Sequence, residues 1–178
     1  MLAYCVLLIA LLSRLLLPLL HIPAMNFTAV GGSLLFFGAR RPRWQAAVAV
    51  AALMVTDYLL TVYAYHYAFH VRGYLVTWAW YAGVCLLGSG LLRRVTVLRV
   101  AAAAATSATS FFVLSNFVVW TGHMYPHTMS GLGACYVAAL PFYRNDLIST
   151  GIVAGVLFGV PVLVARLVQG ETRQQAAI

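Results

Sequence analysis

The chain has 178 residues, of which 63% are hydrophobic and 8% are charged, and its formal net charge is +8. A soluble globule of this size could not bury so much apolar surface, so the composition indicates an integral membrane protein. All basic residues are arginine, which leaves no lysine for a Schiff base or a P-loop. The positive charge is typical of contact with anionic lipid headgroups, and nucleic acid is not an expected partner.

Six apolar runs approach the roughly 20 residues that cross a hydrocarbon core about 30 Å thick. In chain order they predict helices at 2–20, 28–40, 45–67, 74–92, 98–121 and 147–168, the second being short for a full crossing. The first run has no basic residues before it and no small-x-small cleavage site after it, so we interpret it as a mature helix rather than a signal peptide. The sequence predicts an all-α, six-transmembrane-helix bundle with one membrane domain at 1–170 and a short cytoplasmic tail at 171–178.

The arginines predict the orientation of this bundle. On one side of the membrane we expect Arg40, Arg41, Arg43, Arg93, Arg94, Arg99, Arg166 and Arg173. Short loops rich in arginine remain cytoplasmic, so both termini are expected in the cytoplasm. All five histidines are predicted to lie in the loops of the opposite, outer side. We therefore expect the functional site at the outer side.

Residues 122–146 contain two prolines and three glycines and yet stay apolar between them. These residues break helices, and an unwound backbone inside a membrane is tolerated only where it meets protein, water or ligand. We predict a re-entrant or lid-like outer segment between helices five and six. A cavity of roughly a few hundred Å³ is expected beneath it. The side chains expected to converge there are Asn116, Trp120, Tyr125, His127 and Asn145.

Two polar features lie earlier in the chain. Asn26 and Thr28 precede the second predicted helix, where they can cap its N–H groups or help to hold an anionic ligand group. Asp57 is the only acid expected inside the membrane, where an unpaired carboxylate is costly. It should face a cavity, a transported cation, or a partner such as Arg14 or Arg144. A role in binding or proton coupling and a structural ion pair both remain open for Asp57.

Histidine and cysteine side chains are the candidate metal ligands, namely His127, Cys135 and Cys85. His66 and His70 are four residues apart and would share one face of a helix. The cysteines show no Cys-x-x-Cys spacing, so neither a zinc site nor a redox pair is indicated. Catalytic serine and metalloprotease motifs are missing from the sequence, and its acids are far apart, which does not favour an enzyme.

A family resemblance rests on Asp57 and four strings: Asn26-Phe27-Thr28-x-Val30-Gly31, Asn116-Phe117-x-x-Trp120, Tyr125-Pro126-x-Thr128-x-x-Gly131-Leu132-x-x-Cys135-Tyr136 and Ala139-x-Pro141-Phe142. Through them, residues 23–160 resemble an uncharacterised bacterial family of small polytopic membrane proteins. That family is similar in size, helix count and layout to the substrate-binding S components of energy-coupling factor vitamin transporters.

This resemblance implies an uptake protein for a small vitamin-like molecule in a bacterial inner membrane. The candidate ligand-binding residues are Asn26, Thr28, Asp57, Asn116, Trp120, Tyr125, His127, Tyr136 and Asn145. Cobalamin, a corrinoid, is the first ligand to try because cysteine and histidine can ligate cobalt, while riboflavin, thiamine and biotin-like ligands remain open. Helix one lacks the small-residue patch on which S components dock to a coupling subunit, so a solitary protein is expected. The alternative is an accessory subunit of a larger respiratory or photosynthetic membrane complex.

Overall fold

The computed structural model describes residues 1–20 and 28–175, apart from the side chains of residues 17, 19 and 166–175. Within these ranges the chain forms helices and no strands, which confirms the predicted all-α class. The helices are α1 Leu2–Leu19, α2 Val30–Arg40, α3 Ala46–Leu59, α4 Val71–Leu91, α5 Val97–Thr121 and α6 Met129–Gln175. A 3-10 turn at Arg43–Gln45 precedes α3, and a π-helical turn at Leu60–Ala64 extends it.

Four helical segments are long and apolar enough to cross a membrane, namely Arg43–Ala64, Val71–Leu91, Val97–Thr121 and Met129–Ala165. Helix α1 is apolar but shorter over Leu2–Leu16. Helix α2 has 11 residues. At about 1.5 Å per residue it covers about half of the hydrocarbon core. The apolar helices support a membrane protein, but a count of six full crossings is not confirmed.

Helix α2 is the centre of the bundle. Its residues Val30–Gly38 are all buried, and it contacts each of the other five helices. Phe36 packs edge to face on Phe158 of α6, with ring centroids 5.4 Å apart. Phe37 packs in the same way on Tyr4 of α1, also at 5.4 Å. A short helix that is apolar all round is stable here because neighbours cover every face.

Two glycines permit the close crossing of α2 and α4. A Cβ atom at Gly38 would lie 1.9 Å from the carbonyl oxygen of Cys85, and one at Gly88 would lie 2.2 Å from the carbonyl oxygen of Leu35. No side chain fits at such distances, so both positions need glycine for the two backbones to meet. Gly83, also on α4, faces open space, because a Cβ atom there would meet no other atom within 4 Å.

Arginines collect at one end of the bundle, which we call the arginine end. Its members are Arg40, Arg41, Arg43, Arg93, Arg94 and Arg99. Arg43 donates to the hydroxyl of Ser89 at 3.2 Å, which joins the start of α3 to the end of α4. Arg99 donates to the carbonyl oxygen of Leu91 at 3.4 Å, which joins the end of α4 to the start of α5. The turns at 65–70 and 122–128 lie at the opposite end.

The outer segment differs from the prediction. Residues 122–128 form a short turn, but α6 begins at Met129, well before the predicted start at 147. The hydroxyl of Tyr136 donates to the carbonyl oxygen of Val113 on α5 at 2.7 Å, so this first part of α6 is packed along α5. Such contacts outweigh the one helical hydrogen bond that Pro141 removes. The re-entrant, unwound segment is therefore not found, and its residues from Met129 onward are helical.

Gly88→Ala is expected to destabilise the protein by about 1–3 kcal/mol, because the added methyl group forces α2 and α4 apart. Gly83→Ala is the matched control on the same helix and should be neutral or slightly stabilising, since alanine favours a helix more than glycine does. Thermal unfolding in one detergent compares the two variants. Equal midpoints would contradict the close packing of α2 on α4.

The arginine end is expected to face the cytoplasm, and exposed side chains at both ends allow a direct test. Trp44 is 70% exposed near the arginine end, and Met124 is 77% exposed at the opposite end. In a variant without native cysteines, a membrane-impermeant maleimide should label Met124→Cys but not Trp44→Cys in intact cells. Both should react once the membrane is opened. The reverse pattern in intact cells would show the opposite orientation.

Candidate functional site

Asp57 lies in a hydrogen-bonded group inside the bundle, which we call the Asp57 network and which consists of Arg14, Asp57, Trp78 and Tyr81. Arg14 Nη2 lies 2.5 Å from Asp57 Oδ1. The indole N–H of Trp78 donates to Asp57 Oδ2 at 2.9 Å. The Tyr81 hydroxyl lies 3.4 Å from the same Oδ2 and also accepts a hydrogen bond from Arg14. The Asp57 side chain is completely buried.

The Asp57 network joins three helices, because its residues come from α1, α3 and α4. Arg14 also places its guanidinium 5.7 Å from the ring centroid of Tyr81. A carboxylate in hydrocarbon needs an opposite charge and hydrogen-bond donors, and Asp57 has both within the protein. The ion pair with Arg14 is therefore present, and a role of Asp57 in binding or proton coupling stays a prediction.

Two adjoining cavities lie between α5, α6 and the centre of the bundle, and we call them the Asp146 cavities. The larger has a volume of about 190 Å³, and its walls include Ser115, Asn116, Phe142 and Tyr143. The smaller has a volume of about 80 Å³, and its walls include Arg14, Thr28, Gly31 and Tyr81. Phe111 and Asp146 line both. One carboxylate thus faces two neighbouring spaces.

Asp146 was not among the residues expected to bind a ligand. It is 7% exposed, and its Oδ1 accepts a hydrogen bond from Thr150 at 3.4 Å. Within the described part of the chain it forms no ion pair. The sequence placed Asp146 in an outer loop because the sixth helix was predicted to begin at 147. A sixth helix predicted from residue 129 would have contained Asp146 within a long apolar segment. An ionisable residue in such a segment is by default a candidate functional residue.

Two predicted ligand-binding residues line the Asp146 cavities. Asn116 lies in the wall of the larger cavity, and Thr28 lies in the wall of the smaller one. Thr28 does not act as the predicted cap, since α2 has Ala29 at its N-cap and no side-chain cap. Asn145 is half-buried next to Asp146 on α6. Asn26 lies outside the described residues.

Three further candidates, Trp120, Tyr125 and His127, lie in or beside the turn at 122–128. The indole N–H of Trp120 donates to the carbonyl oxygen of Pro126 at 3.0 Å. The Trp120 ring also packs against the His127 ring, with centroids 5.7 Å apart. Tyr125 is half-buried in the same turn. Of the five side chains expected to converge, Asn116 lines the larger Asp146 cavity, and the other four are absent from the walls of both Asp146 cavities.

The three candidate metal ligands make separate contacts and do not form one group. Cys85 is buried against α2 at Gly38. The Cys135 thiol donates to the carbonyl oxygen of Asn116 at 3.4 Å, and the His127 ring bonds to a backbone carbonyl of its own turn. Among the described residues, no three His, Cys, Asp or Glu side chains are grouped closely enough to hold a metal ion.

His66 and His70 do not share a helix face, although their spacing suggested it. The π-helical turn ends at Ala64, and His66 has a left-handed backbone conformation with φ of 55°. His70 is the N-cap residue of the next helix, α4. The two histidines therefore lie in the connection between α3 and α4, where the helical i, i+4 geometry does not apply.

The chain belongs to a family of unknown function, DUF6580, whose model matches residues 1–173. This match confirms the resemblance to an uncharacterised family, and it provides no connection to the S components of vitamin transporters. Searches of curated proteins and of solved structures found no match to the chain. The geometry of the site is therefore the basis for the function proposed below.

Arg14→Met or Asp57→Leu alone is expected to destabilise the protein by about 3–5 kcal/mol, because the remaining charge is buried without its partner. The double variant should regain most of this loss. Arg144→Met, which removes an exposed arginine, is the control. Thermal unfolding midpoints in detergent provide the comparison. If the double variant unfolds at a temperature no higher than the less stable of the two single variants, the Arg14–Asp57 ion pair is contradicted.

Proposed function

We propose that this protein is a membrane-embedded binding protein that takes up a small vitamin-like molecule, in the manner of the S components of energy-coupling factor transporters. One observation carries the proposal. Asp146 has no ion-pair partner among the described residues and faces both Asp146 cavities. An intramembrane carboxylate of this kind is costly unless a ligand, a cation or a proton uses it.

The walls of the larger cavity suit a small organic ligand. Phe111, Phe112 and Phe142 supply apolar ring surface. The amide nitrogen of Asn116 donates to the carbonyl oxygen of Phe112 at 2.7 Å, so its amide oxygen can still accept a hydrogen bond from a ligand. A mainly apolar pocket with a few convergent polar groups is the usual form of a small-molecule site.

The size of the cavities narrows the choice among the expected ligands. Volumes of about 190 and 80 Å³ lie below the roughly 300–1,000 Å³ of typical small-molecule sites. A corrinoid is far larger, and His127, Cys135 and Cys85 are not grouped around these cavities. The geometry therefore favours a vitamin-like molecule much smaller than cobalamin.

The proposed setting is a bacterial inner membrane with both termini in the cytoplasm. The positive-inside rule supports this setting, because six arginines lie at the arginine end of the bundle. In this orientation the turn at 122–128 faces outward, on the side from which a nutrient arrives. The helix α1 residues that would meet a coupling subunit remain bulky, which supports a protein that acts without one.

An accessory subunit of a larger membrane complex is the second candidate, and one observation favours it. An open groove of about 780 Å³ lies between α5 and α6. Its walls include Ala101, Ala105, Gly151, Gly155 and Gly159. Small residues at such spacing let a neighbouring transmembrane helix approach closely.

Mass spectrometry of the gently extracted protein tests the uptake proposal. A small molecule should co-purify with the wild-type protein and with Arg144→Gln, whose exposed side chain is the control. In Asp146→Asn its occupancy should fall at least about tenfold, because loss of a charged hydrogen-bond partner costs roughly 1.5–3 kcal/mol. Unchanged occupancy in Asp146→Asn, or no small molecule above the detergent blank, would contradict the proposal.

Gly155→Leu separates the two candidates. This substitution fills the groove without touching the Asp146 cavities, and a Cβ at Gly155 meets open space. For an accessory subunit, Gly155→Leu should release the other subunits while Asp146→Asn keeps them. For an uptake protein, Gly155→Leu should keep the co-purifying small molecule. Gradient centrifugation of solubilised membranes, followed by mass spectrometry, measures both outcomes.

A further inference from the structure

Helix α2 begins inside the bundle and faces the smaller Asp146 cavity with its positive end. It starts at Val30 without a side-chain cap, and Thr28, Val30 and Gly31 all line that cavity. The N–H groups of a first helical turn point away from the helix body, and the helix dipole adds a partial positive charge there. The start of α2 thus offers hydrogen-bond donors to an anionic group.

A buried hydroxyl at the same place also lacks a partner. Ser107 of α5 is 0% exposed, and its Oγ forms no hydrogen bond within the described part of the chain. This Oγ lies 3.4 Å from the position that a Cβ atom on Gly31 would take, so it sits against the first turn of α2. A buried hydroxyl without a partner is unfavourable, and a ligand oxygen would supply the missing acceptor.

The opposite charge lies next to these donors. Thr150 Oγ1 is 2.5 Å from the Cβ position of Gly31 and donates to Asp146 Oδ1 at 3.4 Å. Thr150 therefore lies between the start of α2 and the Asp146 carboxylate and contacts both. Arg14 lines the same cavity, and its charge is balanced by Asp57.

We infer that the site takes a small zwitterion, with its anionic group at the start of α2 and Ser107 and its cationic group at Asp146. This inference rests on the proposed function and names its ligand class. A plain anion would meet the Asp146 carboxylate, and a plain cation would meet the positive end of α2. The rings of Trp80, Tyr81 and Phe111 in the wall add a favourable surface for a cationic group.

The test uses the purified full-length protein in detergent and matched families of small probes. The zwitterions are the linear ω-amino acids from glycine to 6-aminohexanoate. Their increasing chain length varies the distance between the ammonium and carboxylate groups. The controls are the linear amines and the linear carboxylates of the same chain lengths. At least one zwitterion should raise the thermal unfolding midpoint, and its own amine and carboxylate controls should require at least about tenfold higher concentration for the same shift.

Two substitutions locate the effect at the two ends of the ligand. Ser107→Ala should leave the ligand-free midpoint unchanged or higher, because it removes an unpartnered hydroxyl, yet it should weaken zwitterion binding about tenfold. Asp146→Asn should lower the affinity for the zwitterion until it approaches the affinity for the carboxylate control. Ser13→Ala is the matched control, since the Ser13 hydroxyl donates to the carbonyl oxygen of Ala10 in its own helix.

The outcomes separate this inference from the proposed function. Stabilisation by amines or carboxylates equal to that by the zwitterions would overturn the zwitterion assignment. No stabilisation by any zwitterion, with a co-purifying molecule that still depends on Asp146, would also overturn it while the uptake function stands. A Ser107→Ala variant that binds as tightly as the wild-type protein would overturn the placement of the anionic group at Ser107.

Discussion

Hydrocarbon offers no hydrogen-bond partners, so every polar group inside this bundle depends on the protein or on a ligand. Asp57 has Arg14, Trp78 and Tyr81 as partners, and this network ties α1, α3 and α4 together. Asp146 on α6 has Thr150 as its hydrogen-bond donor but no cation within the described residues. The proposed function rests on this contrast between two buried carboxylates, one with a cation beside it and one without.

The short central helix explains where the proposed site lies. Because α2 is buried on every face but only 11 residues long, it begins within the bundle rather than at its surface. Gly31 lets Thr150 and Ser107 approach this start closely. Many transporters place the ends of half-length helices at the substrate, where the dipole and free N–H groups meet ionic groups. Here the same physics brings donors and the Asp146 carboxylate to one small cavity.

Apolar run length predicts α1, α2, α4 and α5 to within about three residues at each end, and it does so for α3 when the π-helical turn to Ala64 is counted with it. It does not predict the start of α6, since Pro141 breaks a helix in isolation and only packing along α5, as at Tyr136, stabilises that stretch. Asp146 was missed for the same reason. The partner of Asp57 could be named only as one of two arginines, because the choice depends on how the helices pack. Asn116 and Thr28 were predicted from the sequence and do line the cavities. Asp146, which lines both cavities, could be identified only from the fold.

An experimental structure of the gently extracted protein in a lipid nanodisc tests the central claim most directly. The account predicts compact ligand density between the Asp146 carboxylate and the first turn of α2, within hydrogen-bond distance of the Ser107 hydroxyl. The same density should be missing from Asp146→Asn prepared in parallel. If side chains or water alone fill this space in the wild-type protein, and Asp146 binds an arginine instead, then Asp146 is structural and the proposed binding site does not exist.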